Sequence, residues 1–369
     1  MIKLLLLIPT LDRSGAEKQL TLLATGLPPE EFDTHVVCLT RGGPFEINLK
    51  AHGVACSIIG KRFKCDPFAL RRLRALIRSA DPDVLHSWLF AANAYARLVA
   101  GKRERPKVVV SERCVDIWKS GGQLWLDRRQ IRRTHRLVAN SDSVASFYEQ
   151  LGHPRERITV IPNGVEIPQF TAGHRKEVLK AFDIPADSRV VGFVGRLARQ
   201  KRVKDLVWAM QILRQLRDRV YFLIVGDGPE RRRLEDLAKH MECDRLVRFA
   251  GHRDDASVLF AAFDVFWLAS DFEGMSNSLM EAMAAGVPAV VSDIPPNREL
   301  LEDGKQGFVV DVGDGVGFAQ FTDRILADAD LRRRLGDAAR KRMQTQFGID
   351  RMVQQHAQLY RELVNADES

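Results

Sequence analysis

The amino-acid sequence predicts an α/β protein made of two doubly wound parallel sheets. Three observations carry that expectation. Short apolar runs alternate with stretches of helical period along nearly the whole chain, the pattern of βαβ units covered on both faces. The alternation begins again in the second half, after a stretch rich in Pro, Gly and Asn around residues 162–173 that reads as a linker. A length of 369 residues suffices for two domains of ordinary size, each with its own core. The expected division is residues 1–165 and 166–349, with a final helix over about 350–369 packing back on the first domain.

Taken in order, the strands of the first half fall at residues 2–8, 35–39, 54–59, 84–86, 107–111 and 137–139, with helices such as 69–79 and 92–100 between them. The opening MIKLLLLIPT is read as the first buried strand. Its apolar run is too short for a leader, and Pro9, Asp12 and Arg13 follow with no small-residue cleavage site. The runs RVVGFVG, VYFLIVGDGP, LVRFAG, FDVFWLAS and VPAVVSD supply strands in the second half. Met352, Val353, His356, Leu359, Tyr360 and Leu363 recur at helical spacing, so the last helix has an apolar face to bury. Open sheets of this kind bind ligands beyond the carboxyl ends of their strands. The two sheets are therefore expected to face each other across a cleft that holds the site.

Composition narrows the class. With 45% hydrophobic and 28% charged residues the chain is a globular protein, not a disordered one. Five scattered cysteines, never in a CxxC pair, argue for a reducing compartment and against a structural zinc site or a disulfide framework. No stretch approaches the roughly 20 apolar residues of a membrane helix, so a cytoplasmic protein is expected. Charge is uneven: residues 1–165 carry +10 and residues 166–369 carry −2 of the total +8. A basic half bears on the choice of partner.

The stretch DFEGMSNSLMEAMAAG, residues 271–286, holds two glutamates eight positions apart. Ser276 or Asn277 suits an N-cap, SLMEAMAA is built of helix formers, and Gly286 with Pro288 ends the helix. Glu273 then precedes the helix and Glu281 lies about one turn inside it. Spaced about 12 Å apart even along a helix, they are poorly suited to share a proton. They fit two points on one elongated ligand, with the helix N-terminus between them offering N–H groups to an anion. A capped helix with a solvated Glu281 is the plain alternative. Upstream, Gly195 and Arg196 follow a strand directly and Lys201 precedes the next helix. Cations placed there form a clamp for a diphosphate. VGDGPE makes a tight turn after the following strand, and TLDRSGAEKQ puts Gly15 where backbone N–H groups can approach a phosphate. Each of these two also fits an ordinary turn or helix start.

Together EGMSNSLME, GRLARQK and SGAEK, with PNGV from Pro162 and AAGVP from Ala284, resemble the retaining glycosyltransferases of family 4 over nearly the whole chain. The resemblance implies the GT-B fold, with two Rossmann-like domains. The first would bind the acceptor and the second a nucleotide-sugar. It also implies transfer of a hexose or N-acetylhexosamine from a nucleoside diphosphate, UDP foremost, to a glycan or lipid-linked saccharide, as in cell-surface polysaccharide or lipopolysaccharide synthesis. Arg196 and Lys201 would neutralise the diphosphate in place of a metal ion, so neither metal nor cofactor is expected besides the donor. Glu281 would accept hydrogen bonds from the ribose, and Glu273 would hold donor-sugar hydroxyls. Gly195 and the segment Gly274, Met275, Ser276, Asn277 and Ser278 would line the sugar and phosphates. Gly15 would face the diphosphate from the first domain, and the base would lie near Arg248 and Phe249. In the same-face displacement of such enzymes the diphosphate assists the acceptor, so no second carboxylate is needed as in hydrolysis. One departure matters. Many relatives carry a histidine after the fifth strand, where this chain reads VVVSERC and puts Arg113 behind Glu112. Arg113, or His86 at the end of DVLHS, is the candidate sugar contact, with a structural histidine the plain alternative for His86.

The basic half has its own pattern. FKCDPFALRRLRALIR interleaves Leu70, Leu73, Leu76 and Ile77 with Arg71, Arg72, Arg74 and Arg78, and WLDRRQIRRTHR adds more charge. The plain reading is helices with a core face and a solvated basic face. The functional reading is peripheral docking to an anionic membrane surface on the cytoplasmic side, at about 1 kcal/mol for each well-placed basic residue. Arg41, Gly42 and Gly43 in VCLTRGGPF, and Trp118 and Trp125 in CVDIWKSGGQLWLDRR, suit acceptor loops, although both tryptophans are read first as core. A nucleic-acid-binding role would call for aromatics interleaved with the basic residues and leaves the glutamate pair unexplained. No nucleic-acid partner is expected. A nucleotide-sugar epimerase on the same fold is the closer alternative.

Overall fold

A computed structural model describes residues 1–100, 105–115 and 120–366. The chain forms two compact units, Met1–Gly164 with Ile349–Ser369, and Val165–Gly348. Unit 1 runs β1 (Ile2–Ile8), α1 (Gly15–Gly26), β2 (Phe32–Cys38), α2 (Glu46–Ala51), β3 (Ala55–Ile58), α3 (Pro67–Ala80), β4 (Val84–Trp88) and α4 (Phe90–Ala100). It continues with β5 (Lys107–Glu112), α5 (Gly121–Gln130), β6 (Arg136–Ala139), α6 (Asp142–Gln150) and β7 (Ile158–Val160). Its seven strands are parallel in the order β3-β2-β1-β4-β5-β6-β7.

Unit 2 runs α7 (Ala172–Ala181), β8 (Arg189–Val194), α8 (Val203–Leu216), β9 (Val220–Val225), α9 (Arg231–His240), β10 (Val247–Gly251) and α10 (Ala256–Leu259). Then come β11 (Val265–Leu268), α11 (Asn277–Ala284), β12 (Ala289–Ser292), α12 (Pro295–Leu300), β13 (Gly307–Val310), α13 (Gly315–Ala327) and α14 (Ala329–Gln346). The six strands are parallel in the order β10-β9-β8-β11-β12-β13. The last helix, α15 (Ile349–Asn365), returns to unit 1.

Both sheets grow outward from their first strand on one side and then on the other, so each has a switch point where neighbouring strands leave in opposite directions. It lies between β1 and β4 in unit 1, and between β8 and β11 in unit 2. Two strands exceed the sequence expectation. β7 sits just ahead of the Pro-Asn-Gly stretch read as linker, and β13 has four residues, both too short to show a period. β2 also begins earlier than expected, because polar Asp33 and Thr34 pair with Lys3 and Leu4 at the strand's exposed start.

The packing explains why β1 reads as one apolar run. Leu4, Leu6 and Ile8 are buried with Leu20 and Leu23 of α1 and Tyr360 and Leu363 of α15. Leu5 and Leu7 are buried on the other face, with Leu73 and Ile77 of α3 and Tyr95 of α4. A strand covered on both faces shows no alternation.

At the amino end of the unit 2 sheet, Asp264 just ahead of β11 gathers charge. Its carboxylate accepts from Arg175 Nη2 at 2.9 Å, Arg189 Nη1 at 3.1 Å and the backbone N–H of Val190 at 2.9 Å. Arg332 of α14 completes the group at 4.0 Å.

Candidate active site

At the carboxyl end of the same sheet the loops after β8, β9 and β11 are tied together. Gly195 N–H donates to Val225 O and Leu197 N–H to Asp227 O, each at 2.9 Å. Gly226 has φ +130°, and a Cβ there would lie 1.9 Å from the Gly195 carbonyl oxygen. One at Gly228 would lie 2.4 Å from that of Leu197. The GDG turn is thus the seat of the loop that carries Arg196, which the sequence alone left as an ordinary turn. Gly251 O accepts from Gly226 N–H at 2.8 Å, so the end of β10 joins the same cluster.

Arg196 is exposed, and its guanidinium has no hydrogen bond or ion pair among the described residues. Lys201 closes a short 3-10 turn, and its ammonium pairs with Glu273, which is 7% exposed. The Glu273 carboxylate also accepts from Ser270 Oγ at 2.7 Å. Ser270 in turn offers its carbonyl to Ser292 Oγ at 2.7 Å, and Asn297 Nδ2 donates to Ser292 O at 2.9 Å. Ser270, Ser292 and Asn297 are wholly buried. This chain of polar groups fixes the glutamate from below, and its three members carry no distinguishing pattern in the sequence. The two loops are joined again by Gln200 Nε2 to Phe272 O at 2.6 Å and by Arg202 Nη1 to Asp271 at 3.1 Å.

Ser276 is the N-cap of α11, accepting from Leu279 N–H at 3.4 Å. Gly274, Met275 and Ser276 are buried, while Asn277, Ser278 and Glu281 are partly exposed along the first turns. The structure therefore gathers Gly195, Arg196, Lys201 and Glu273 with the start of α11 at the β8/β11 switch point. Arg248 is a correction. Its guanidinium donates to Phe182 O at 3.0 Å and Arg245 O at 2.7 Å and lies over Tyr221, so it ties the end of α7 to the start of β10. Phe249, next along, is partly buried against the unit 2 core.

In unit 1, Gly15 opens α1 behind Ser14, whose hydroxyl bonds Glu17. Burial raises the Glu17 carboxyl above its ordinary value, against the Ser14 bond that lowers it. His86 is a second correction. It is fully buried, with Nδ1 at 2.6 Å from Tyr360 Oη and Nε2 at 2.8 Å from Ser111 Oγ, and it stacks on His356. The plain alternative holds: it is a core histidine that fastens β4 to α15. Arg113 lies over the Trp88 ring at 4.5 Å and donates to Asn163 Oδ1. Burial pulls its pKa down to about 9. Trp125 is a third correction, being 60% exposed on α5. Trp118 lies outside the described residues, and Arg41 is paired with Asp12.

Comparisons with known proteins agree with this geometry. Residues 13–168 match the model described as Glycosyltransferase Family 4, and residues 174–342 match that described as Glycosyl transferases group 1. The chain is 34% identical over 228 residues to the lipopolysaccharide core biosynthesis glycosyltransferase LpsE of Rhizobium meliloti, spanning 62% of this chain and 64% of that one. It is 26% identical over 345 residues to the N-acetyl-alpha-D-glucosaminyl L-malate synthase of Bacillus anthracis, spanning 90% of each. Among solved structures, Anabaena HepE in complex with UDP and glucose superposes with a TM-score of 0.88 at 22% identity, over 98% of this chain and 100% of that one. The fold is GT-B, and the protein is a glycosyltransferase. Within that class it belongs to family 4, the group 1 glycosyltransferases.

Proposed function

We propose that the enzyme transfers a hexose or N-acetylhexosamine, with retention, from a UDP-sugar to a glycan or lipid-linked saccharide in the synthesis of a cell-surface polysaccharide such as lipopolysaccharide. The observation that carries this reading is the pairing of Lys201 with Glu273 beside the unpartnered Arg196 at the switch point of unit 2. A nucleoside diphosphate leaves with growing negative charge. Arg196 and Lys201 meet that charge from fixed positions, which stabilises the transition state more than the ground state and needs no metal ion. Glu273, held by Ser270, accepts from donor-sugar hydroxyls and is oriented rather than free to attack. The first N–H groups of α11 complete the anion site. Glu281, about one turn further on, suits the ribose. UDP is favoured because HepE was solved with it, and the acceptor class because LpsE is named for lipopolysaccharide core biosynthesis. Such an acceptor is met at an anionic membrane surface, which the enzyme approaches from the cytoplasmic side.

The test is a thermal-shift panel of UDP, GDP, ADP and CMP and their common sugars, with chelator present, on the protein and on Arg196→Ala and Lys201→Ala. A ligand at a hundred times its Kd adds about 2.7 kcal/mol. A shift with uridine nucleotides alone, lost in both variants, is expected, with transfer reduced about 100- to 1000-fold. Undiminished turnover in both variants would sink the clamp assignment, and a product of inverted anomeric configuration would sink retention.

A further inference from the structure

We infer that the face of unit 1 formed by α3, α4 and α5 docks on an anionic lipid surface, with Phe68 and Trp125 entering the headgroup layer. This deepens the membrane part of the proposed function and is independent of the donor assignment. The three helices are neighbours: α3 and α4 share one core cluster, and α5 is clasped to α4 by Arg97 Nη1 and Asp127 at 3.0 Å. Across all three there is one acidic residue, Asp127, and it is buried in that clasp. Arg71, Arg74, Arg78 and Arg128 are exposed and make no hydrogen bond or ion pair among the described residues. Arg129 leans over the Trp125 ring at 5.5 Å.

A solvated basic face accounts for those arginines but not for what stands among them. Phe68 is 70% exposed and Trp125 60%, with Phe63 just ahead of α3 and Leu98 of α4 also exposed. The helix α5 is the sharper case. Its sequence holds Leu124, Trp125 and Leu126, yet its only buried residues are Asp127 and Gln130. No apolar residue of α5 is fully buried; Leu124 and Leu126 are half-buried and Trp125 stands outward. Arginines that can reach phosphates around aromatic rings that can lie at the headgroup level are the composition of an interfacial surface. Among the described residues no helix is long and apolar enough to cross a membrane, so contact is with the surface. A nucleic acid would satisfy the arginines and leave Phe63, Phe68 and Leu98 in water.

The experiment is flotation of the full chain with vesicles of phosphatidylglycerol and phosphatidylcholine in equal parts, and with phosphatidylcholine alone, over a salt series. Two variants are compared, R71Q/R74Q/R128Q/R129Q and F68S/W125S, each checked for an unchanged unfolding temperature and UDP shift. Binding to the anionic vesicles only, weakened by salt, is expected. The arginine variant should lose about 5-fold per residue and the aromatic variant about 10-fold. Equal binding to neutral vesicles, or anionic binding untouched in both variants, overturns the inference. So does no vesicle binding with concentration-dependent self-association, which would make this face an interface between copies. Transfer to a water-soluble acceptor stays unchanged in the arginine variant. Loss of that transfer in the unmutated protein would instead count against the proposed function, leaving the docking result intact.

Discussion

The two ends of the unit 2 sheet each bury one carboxylate among basic residues, and they are built for different purposes. At the amino end Asp264 is surrounded: two arginines and a backbone N–H donate to it, with a third arginine at 4.0 Å. At the carboxyl end Glu273 has one cation and one hydroxyl, and the nearby Arg196 is left facing solvent. The acceptors of Asp264 are taken up by the fold. The other end keeps charge in reserve, and loops rather than strands supply it. Removing each carboxylate should therefore give opposite phenotypes.

The largest effect is expected at the saturated end. Asp264→Ala leaves arginines and the Val190 N–H without their acceptor, and should cost about 3–5 kcal/mol of stability in chemical denaturation, while turnover per folded molecule is kept. A variant that is inactive yet fully stable would break the comparison. The switch point of unit 1 sharpens it, because the two histidines buried together there are held uncharged, with Arg113 beside them. Burial holds His86 well below the ordinary histidine value and His356 down to about 4. The unfolded chain takes up protons below about pH 6.5 where the folded one does not, so stability is full above that pH and is lost as pH falls toward 4. For His356 the loss approaches about 3 kcal/mol. Melting curves of the protein and His356→Gln between pH 7 and 4.5 should converge toward the acid end, and parallel curves would refute this account. The smallest effect is on the barrier: Glu273→Gln should slow transfer about 100-fold, or about 2.7 kcal/mol, with its melting temperature little changed.

Much of this was legible in the sequence, and unevenly. The alternation of apolar runs and helices, the N-cap at Ser276 and the separation of Glu273 from Glu281 are local patterns, and local patterns survive into the fold. The polar chain from Ser270 through Ser292 to Asn297 is not local, since its members meet only because β11 and β12 are adjacent in the sheet. His86 misled for a related reason. A histidine at a strand end suggests a ligand contact until a partner 274 residues away is known to cover it. Arg248 was placed by the strand it belongs to, but lies near that strand's amino end. Trp125 was read first as core, but α5 fully buries only Asp127 and Gln130, and the ring stays outside.

The return of α15 to unit 1 has a consequence for how the protein is made. Val165–Gly348 is one uninterrupted segment, so every element of unit 2 is made without a break. Unit 1, although begun first, lacks one wall until residues 349–365 emerge, and its Leu20, Leu23, Phe32 and Trp88 wait for Tyr360 and Leu363. The usual order, in which the earlier domain folds first, does not suit unit 1, whose closing helix is made last. A chain ending at residue 348 would keep the unit 2 segment whole and leave the core of unit 1 open on the side that α15 covers.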